Sequence, residues 1–164
     1  MALDFKIVDN FLSQEDFDFV KNQLTGDEFP WFFQKEINIG DDPSFNHTFF
    51  THVFYKDRKV NSQYYDHFQF ILNKIDAKAV IRFKANCYPS TTKIIVHEPH
   101  IDHEFEHKGF LLYVNDNDGF TLLEDGTRVD SIANRALFFD ASKPHQSSTS
   151  TNVKARFNIN INYF

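Results

Sequence analysis

The chain has 164 residues and a formal charge of −6 at pH 7, with 17 basic and 23 acidic side chains. This length predicts a single domain over residues 1–164, which can bury a core without disulfides. The acidic balance disfavours a dedicated nucleic-acid binder, because such a protein needs a basic face. The one cysteine, Cys87, cannot form an internal disulfide, and no leader or membrane-spanning run is visible, so we expect a cytoplasmic protein.

The N-terminal part, residues 1–78, predicts two helices that support the rest of the fold. Ser13 and Asp16 give a capping signal at the start of the first helix. An apolar stripe at helical spacing predicts the second helix over 62–75. Two aromatic segments between the helices favour β structure: Trp31–Ile37 and His47–Tyr55.

From residue 79 onward the sequence predicts short strands separated by turns. The acidic, glycine-containing runs 115–119 and 124–126 are typical of hairpin turns. The predicted strands are 79–88, 93–97, 109–115, 119–123, 127–132, 135–139 and 153–163. Helices followed by antiparallel strands predict a mainly β fold, namely a double-stranded β-helix (jelly roll) over 79–164, with the N-terminal helices packed on one sheet.

A candidate metal site begins with His100 and Asp102. On an extended segment, residues two apart point to the same face, so this imidazole and this carboxylate can bind one metal ion. His145 is the best placed third ligand, because it follows an apolar strand and lies in a polar stretch. Two histidines and one carboxylate leave open positions on the metal, which is typical of non-haem Fe(II) oxygenases.

The last predicted strand alternates strictly between polar and apolar side chains from Arg156 onward. In a barrel, its apolar face can pack against the helices while its polar face lines a cavity. Arg156 would then be a buried cation that needs an anionic partner, such as the carboxylate of a ligand. The same alternation in strand 79–88 also favours a lined pocket over a solvated face. The polar residues of the two strands are Arg156, Asn158, Asn160 and Asn162, and Arg82, Lys84, Asn86 and Tyr88.

Six motifs follow one another along residues 87–164: Cys87-Tyr88-Pro89, His100-Ile101-Asp102, Leu112-Tyr113-Val114-Asn115, Asn134-Arg135-Ala136-Leu137-Phe138-Phe139, Pro144-His145 and Arg156. In these motifs and in their order, residues 87–164 resemble the catalytic core of the Fe(II)- and 2-oxoglutarate-dependent dioxygenases, in particular those of the prolyl-hydroxylase type. A weaker similarity lies in the opening segment, residues 7–13. One departure is that Asp118-Gly119-Phe120-Thr121 stands where the family usually has a Gly-Gly pair.

The resemblance implies that Fe(II) is the metal and that 2-oxoglutarate is the cosubstrate. It implies that the iron ligands are His100, Asp102 and His145. It also assigns four residues to the cosubstrate: Arg156 to its distal carboxylate, Tyr113 as a second donor to that carboxylate, Tyr88 beside its metal-chelating end, and Asn160 facing the pocket.

The activity that the resemblance implies is hydroxylation of a C–H bond with release of succinate and CO₂. The carboxylate at Asp102 favours hydroxylation over halogenation. We expect a polar substrate, either peptidyl or a small molecule, whereas nucleic acid and membrane partners are not expected. Two alternatives stay open: a cupin-like metal enzyme of another kind, and a non-catalytic metal-binding jelly-roll module. The sequence does not indicate an oligomeric state.

Overall fold

The computed structural model describes residues 5–35 and 48–164. The predicted segments Trp31–Ile37 and His47–Tyr55 lie partly outside the described residues, as does His47 itself. The elements in chain order are β1 (Phe5–Val8), α1 (Gln14–Thr25), β2 (Phe32–Gln34), β3 (Phe49–Lys56), β4 (Lys59–Val60), α2 (Tyr65–Lys74), β5 (Val80–Pro89), β6 (Lys108–Tyr113), β7 (Phe120–Leu123), β8 (Arg128–Asp130), β9 (Ala136–Asp140), β10 (His145–Ser147) and β11 (Ala155–Tyr163).

The described strands form two antiparallel sheets. The larger sheet has eight strands in the order β1-β9-β6-β11-β5-β3-β2, with β4 paired to β3. The smaller sheet has the order β10-β7-β8. Strand β11 pairs with β5 on one side and with β6 on the other, so it lies near the middle of the larger sheet. The prediction of a mainly β jelly-roll fold is confirmed.

Both helices pack on one face of the larger sheet, as predicted. Helix α1 begins after Ser13, whose hydroxyl accepts a hydrogen bond from the Asp16 backbone N–H at 3.1 Å and so caps the helix. The helices contribute to a core with alternate residues of the sheet strands. Its fully buried members include Val20, Leu24, Phe68 and Ile71 from the helices, and Phe54, Phe83, Phe110, Leu112, Ile159 and Ile161 from the strands.

A second, smaller core fills part of the space between the two sheets. It contains Leu111 and Tyr113 of β6, together with Val129 of β8 and Leu137 of β9. The remaining space on this face of the larger sheet is polar. There the side chains of Arg156, Asn158, Asn160 and Asn162 are all buried. The alternation of β11 therefore predicts both of its faces correctly: one face lies in the core, and the other lies in an enclosed polar region.

Some predicted elements differ from the structure. Residues 93–97 do not form a strand; only Val96 makes a single bridge, to Ser148. Strand β1 was not predicted, because its short segment has no clear alternation of apolar residues. Within the described ranges, neither helix is long and apolar enough to cross a bilayer.

Candidate metal centre

The structure brings together three side chains from two segments that are distant in sequence. His145 opens strand β10, while His100 and Asp102 lie in the loop between β5 and β6. His100 and His145 form an antiparallel bridge, in which each backbone N–H donates to the other's carbonyl at 3.0 Å. The backbone N–H of Asp102 donates to the carbonyl of Ala141, also at 3.0 Å. These backbone bonds fix the loop against the smaller sheet and thereby position the three side chains.

The ligand atoms of His100, Asp102 and His145 all lie within 4.8 Å of one another. His100 Nε2 is 3.9 Å from Asp102 Oδ1, and His145 Nε2 is 4.0 Å from Asp102 Oδ2. These separations are too long for hydrogen bonds, but they suit three ligands around one central ion. Among the described residues, this is the only cluster of three or more histidine, cysteine or carboxylate side chains close enough to hold a metal.

The hydrogen bonding of His145 and the ionisation of His100 also suit a divalent metal. His145 Nδ1 lies 3.0 Å from the Lys143 carbonyl, which can only accept, so Nδ1 carries the proton and the Nε2 lone pair is free. Burial and the neighbouring His145 lower the pKa of His100 to about 4, so its imidazole is neutral at pH 7. Neutral imidazoles and an ionised carboxylate are the forms that bind metals.

Two further side chains hold the carboxylate of Asp102 in place. Arg82 Nη2 donates to Oδ1 and Asn162 Nδ2 donates to Oδ2, both at 2.7 Å. Burial would raise the pKa of Asp102, but the charges of Arg82 and its other cationic neighbours outweigh that effect and hold the pKa well below its usual value. Asn162 Nδ2 also lies 3.3 Å from His107 Nε2. Hydrogen-bonded partners of this kind orient metal ligands.

The other end of the cavity is formed by Arg156, which is completely buried. Its guanidinium donates to three neutral oxygens: Ser131 Oγ at 2.7 Å, and the Ser148 carbonyl and Thr121 Oγ1, each at 3.3 Å. No carboxylate of the described residues lies within salt-bridge distance of it. Burial lowers the pKa of Arg156, but an arginine remains charged at neutral pH. Arg156 is therefore a buried cation without a counter-ion from the described chain.

Gly119 makes room for Arg156. A Cβ atom at Gly119 would lie 2.7 Å from Arg156 Cδ and 2.9 Å from the Thr149 carbonyl, so any side chain would displace the arginine. This glycine belongs to the segment that replaces the Gly-Gly pair of the resembling family.

Of three residues that the family resemblance assigned to a cosubstrate, two line the cavity and one does not. Tyr88 and Asn160 line the cavity between the metal centre and Arg156. Tyr88 also stacks between Phe49 and His97, with ring centroids 5.2 and 5.7 Å apart respectively. Tyr113 does not line the cavity; its hydroxyl donates to Thr121 Oγ1 at 2.8 Å, and Thr121 lines it instead.

Sequence reasoning missed the roles of two other residues. The alternation of β5 predicts that Lys84 faces a pocket, and Lys84 does line the cavity, but only the fold shows that Arg82 reaches Asp102. Thr121 gave no signal, since a single threonine in a strand is ordinary. Among the described residues, the cavity is lined by Phe49, Lys84, Asn86, Tyr88, His100, Asp102, Leu111, Thr121, His145, Gln146, Ser147, Arg156, Asn158 and Asn160.

No protein-family model matches this sequence, and no curated protein matches it. Solved structures do match. A prolyl hydroxylase from Trichoplax adhaerens, in complex with a hypoxia inducible factor oxygen degradation domain peptide fragment, has 17% identity and a TM-score of 0.71, over 99% of this chain and 84% of that one. A 2OG-Fe(II) oxygenase family protein from Burkholderia pseudomallei has 11% identity and a TM-score of 0.71, over 99% of this chain and 85% of that one.

A Pseudomonas putida prolyl-4-hydroxylase has 10% identity and a TM-score of 0.65, over 99% of this chain and 93% of that one. The likeness covers nearly the whole chain in each case, although few residues are identical. The chain therefore has the fold found in prolyl hydroxylases and other 2OG-Fe(II) oxygenases.

Proposed function

We propose that this protein is an Fe(II)- and 2-oxoglutarate-dependent oxygenase that hydroxylates a C–H bond of an organic substrate. The observation that carries the proposal is the presence, in one cavity, of a His-Asp-His cluster and of a buried arginine without a carboxylate partner. A metal site alone would fit many proteins of this fold. The unpaired Arg156 adds a requirement for an anionic ligand at the far end of the same cavity.

The metal would be held by His100, Asp102 and His145. Two imidazoles and one carboxylate on one side of an ion are the ligand set that non-haem Fe(II) enzymes use, with the other positions open. When bound, the iron supplies the oxidising chemistry, in which O₂ and 2-oxoglutarate yield succinate, CO₂ and a hydroxylated product. The protein's own contribution is to hold and orient these groups in a partly enclosed cavity.

Arg156 would bind the distal carboxylate of 2-oxoglutarate. Its guanidinium is held by neutral oxygen atoms, and these fix its position without neutralising its charge. A carboxylate at this place gains a charge-assisted, two-point contact in a desolvated site. The aromatic ring of Tyr88 lies 5.5 Å from the guanidinium and closes one side of the path between the two ends of the cavity.

The substrate that the cavity favours is polar, either a peptidyl group or a small molecule. The wall between the metal centre and Arg156 carries Asn86, Asn158 and Asn160. The side-chain oxygens of Asn86 and Asn160 are buried and have no hydrogen-bond donor among the described residues. Buried acceptors of this kind favour ligands that carry donors. The acidic charge of the chain argues against a nucleic acid as substrate.

The test begins with titration of Fe(II) into the anaerobic protein in the presence of 2-oxoglutarate. We expect the weak visible charge-transfer band of an iron-keto acid chelate in the wild type. The Arg156→Met variant should need about a hundredfold more 2-oxoglutarate to give the band, because a buried ion pair loses one partner. The matched control is Arg128→Met, because Arg128 is exposed and lies outside the cavity.

The outcome also separates the alternatives. Iron binding without the band would indicate a cupin-like metal protein of another kind. A normal band without formation of succinate under O₂, with or without candidate substrates, would favour a non-catalytic module. Equal affinity of wild type and Arg156→Met for 2-oxoglutarate would remove Arg156 from the cosubstrate site.

A further inference from the structure

Lys84 is a second cation in the cavity and has no counter-ion among the described residues. It lies on β5 directly opposite Asn160 of β11, and its side chain lines the cavity. Its Nζ atom lies 5.8 Å from the centroid of the Phe49 ring, a cation–π contact. No described carboxylate lies within salt-bridge distance of it. Burial and the nearby charge of Arg82 lower the pKa of Lys84 to about 7, and the charge of Asp102 only partly offsets these effects.

The charges around the cavity leave Lys84 without a role in the proposed function. Asp102 is the only carboxylate that lines the cavity within the described part of the chain, and Arg82 already pairs with it. In the proposed function the metal and Arg156 take the two carboxylates of 2-oxoglutarate. Lys84 then remains as an additional positive charge, although the chain as a whole has a net charge of −6.

Exposure shows which end of the cavity Lys84 occupies. Arg156 is fully buried, whereas Lys84 and His100 are each partly exposed. The cavity is therefore closed at Arg156 and open beside His100 and Lys84. A dicarboxylate that extends from the metal to Arg156 fills the closed part and leaves Lys84 on the open side. A substrate must enter by this side to reach the metal.

We propose that Lys84 is a specificity residue that selects substrates carrying a carboxylate or another anionic oxygen group near the carbon that is oxidised. This inference rests on the proposed function and adds the substrate class to it. The ammonium of Lys84 donates to the anionic group, while the amide side chains of the neighbouring wall accept or donate hydrogen bonds to the rest of the molecule. The contact fixes the substrate beside the metal without involving Arg156.

The test measures binding, and it needs no turnover. Protein loaded with Mn(II) and saturated with 2-oxoglutarate is mixed with three probes that share a phenyl ring: benzoate, phenyl phosphate and the neutral benzamide. Paramagnetic broadening of the probe's NMR signals reports binding near the metal, with Zn(II)-loaded protein as the diamagnetic control. In the wild type we expect benzoate to bind about tenfold more tightly than benzamide, because its carboxylate gains one charge-assisted hydrogen bond from Lys84.

The variants assign the preference to the lysine. Lys84→Met should lose the preference for benzoate over benzamide, and Lys84→Arg should keep it. In both variants the affinity for 2-oxoglutarate should stay within about threefold of the wild-type value. The matched control is Lys108→Met, because Lys108 also contacts an aromatic ring, that of Tyr163 at 5.6 Å, but lies outside this cavity. If phenyl phosphate binds more tightly than benzoate, the anionic group of the substrate is a phosphate. If benzoate binds more tightly, the anionic group is a carboxylate.

Three results would overturn the inference. Equal binding of benzoate and benzamide to the wild type would show that the cavity does not select anions. An unchanged acid preference in Lys84→Met would assign the selection to another residue. A large loss of 2-oxoglutarate affinity in Lys84→Met would place Lys84 in the cosubstrate site instead. If the wild type itself fails to bind 2-oxoglutarate, the proposed function fails first and this inference falls with it.

Discussion

Asn162 Nδ2 lies 2.7 Å from Asp102 Oδ2, so a residue of the central strand β11 holds the carboxylate of the metal centre. The same amide lies 3.3 Å from His107 Nε2. His107 in turn donates from Nδ1 to the Phe105 carbonyl at 2.8 Å, which leaves its Nε2 free to accept. Asn162 thus links the carboxylate to the strand and to the loop that precedes β6.

Replacing Asn162 should weaken metal binding without removing a ligand. We expect Asn162→Leu to lower the affinity for Mn(II) by about tenfold, because the carboxylate of Asp102 loses a donor that orients it. Calorimetric titration of Mn(II) measures the change. Asn160→Leu is the control, since Asn160 lies on the same face of β11 but makes no contact with Asp102. Equal losses in both variants would contradict an orienting role for Asn162.

The space at Gly119 should determine where Arg156 lies. We expect Gly119→Ala to weaken 2-oxoglutarate binding by at least about tenfold, because its Cβ would push the arginine out of position. The same clash should lower the free energy of unfolding by about 1–3 kcal/mol. Binding on the Mn(II)-loaded protein and urea denaturation measure the two effects.

Gly126→Ala is the control for this experiment. Gly126 has a φ of +83° but no atom within 4 Å of a built Cβ, so an alanine there costs about 1 kcal/mol of backbone strain and touches nothing. It should reduce stability without changing the affinity for 2-oxoglutarate. If Gly119→Ala behaves in the same way, the position of Arg156 does not depend on Gly119.

Tyr113 does not line the cavity in this structure, so we expect it to act through Thr121. The structure shows its hydroxyl bonded to Thr121 Oγ1, and that atom is also 3.3 Å from an Arg156 nitrogen. We expect Tyr113→Phe and Thr121→Val each to weaken 2-oxoglutarate binding severalfold and the double variant to be no weaker than Thr121→Val. Additive losses would show instead that Tyr113 contacts the carboxylate itself, as the family resemblance implies.

The stability of the protein should fall in mild acid because of His52. This side chain is buried, and it lies within 2.7 Å of the Pro30 carbonyl and 2.6 Å of Ser62 Oγ. Burial lowers the pKa of His52 below its ordinary value of 6.5, so the folded state binds fewer protons than the unfolded state. Stability is therefore lost as the pH falls below about 6.5, by at most about 1.4 kcal/mol per pH unit from this group.

Urea denaturation with a chelator at several pH values from 7.5 downward tests the role of His52. Relative to the wild type, His52→Phe should lose less stability as the pH is lowered, because it cannot bind the proton. His67→Phe is the control, since His67 is exposed, and it should follow the wild type. Parallel curves for the wild type and His52→Phe would contradict the prediction.

Much of the site follows from the alternation of two strands. The strict period of β11 placed Arg156 and the three asparagines on one face, and the parity of His100 and Asp102 placed both on one side of their segment. These predictions succeed because a two-residue period depends only on local backbone geometry. The same reasoning cannot reveal that Arg82 reaches Asp102. These residues are 20 positions apart, and they meet only because of the way in which the chain between them folds.

The errors in the fold have a related cause. The segment 93–97 has the composition of a strand, but its backbone pairing with residues 147–149 ends after one bridge, where a hydroxyl takes the next backbone N–H. The backbone N–H of Ile95 donates to Thr149 Oγ1 at 2.9 Å, and that hydroxyl also contacts Thr91. Only the bridge from Val96 to Ser148 remains as strand pairing. Side-chain hydrogen bonds between distant segments compete with sheet formation and leave no periodic signal in the sequence.

The position of β11 between β5 and β6 has a consequence for the synthesis of the chain. A ribosome makes residues 155–163 after every strand that precedes them, yet these residues separate the two strands that must flank them in the finished sheet. Until they emerge, β5 and β6 lack their shared neighbour, and the core lacks Ile159 and Ile161. The core and the cavity are therefore completed together, only when this late-made segment pairs with both of its neighbours.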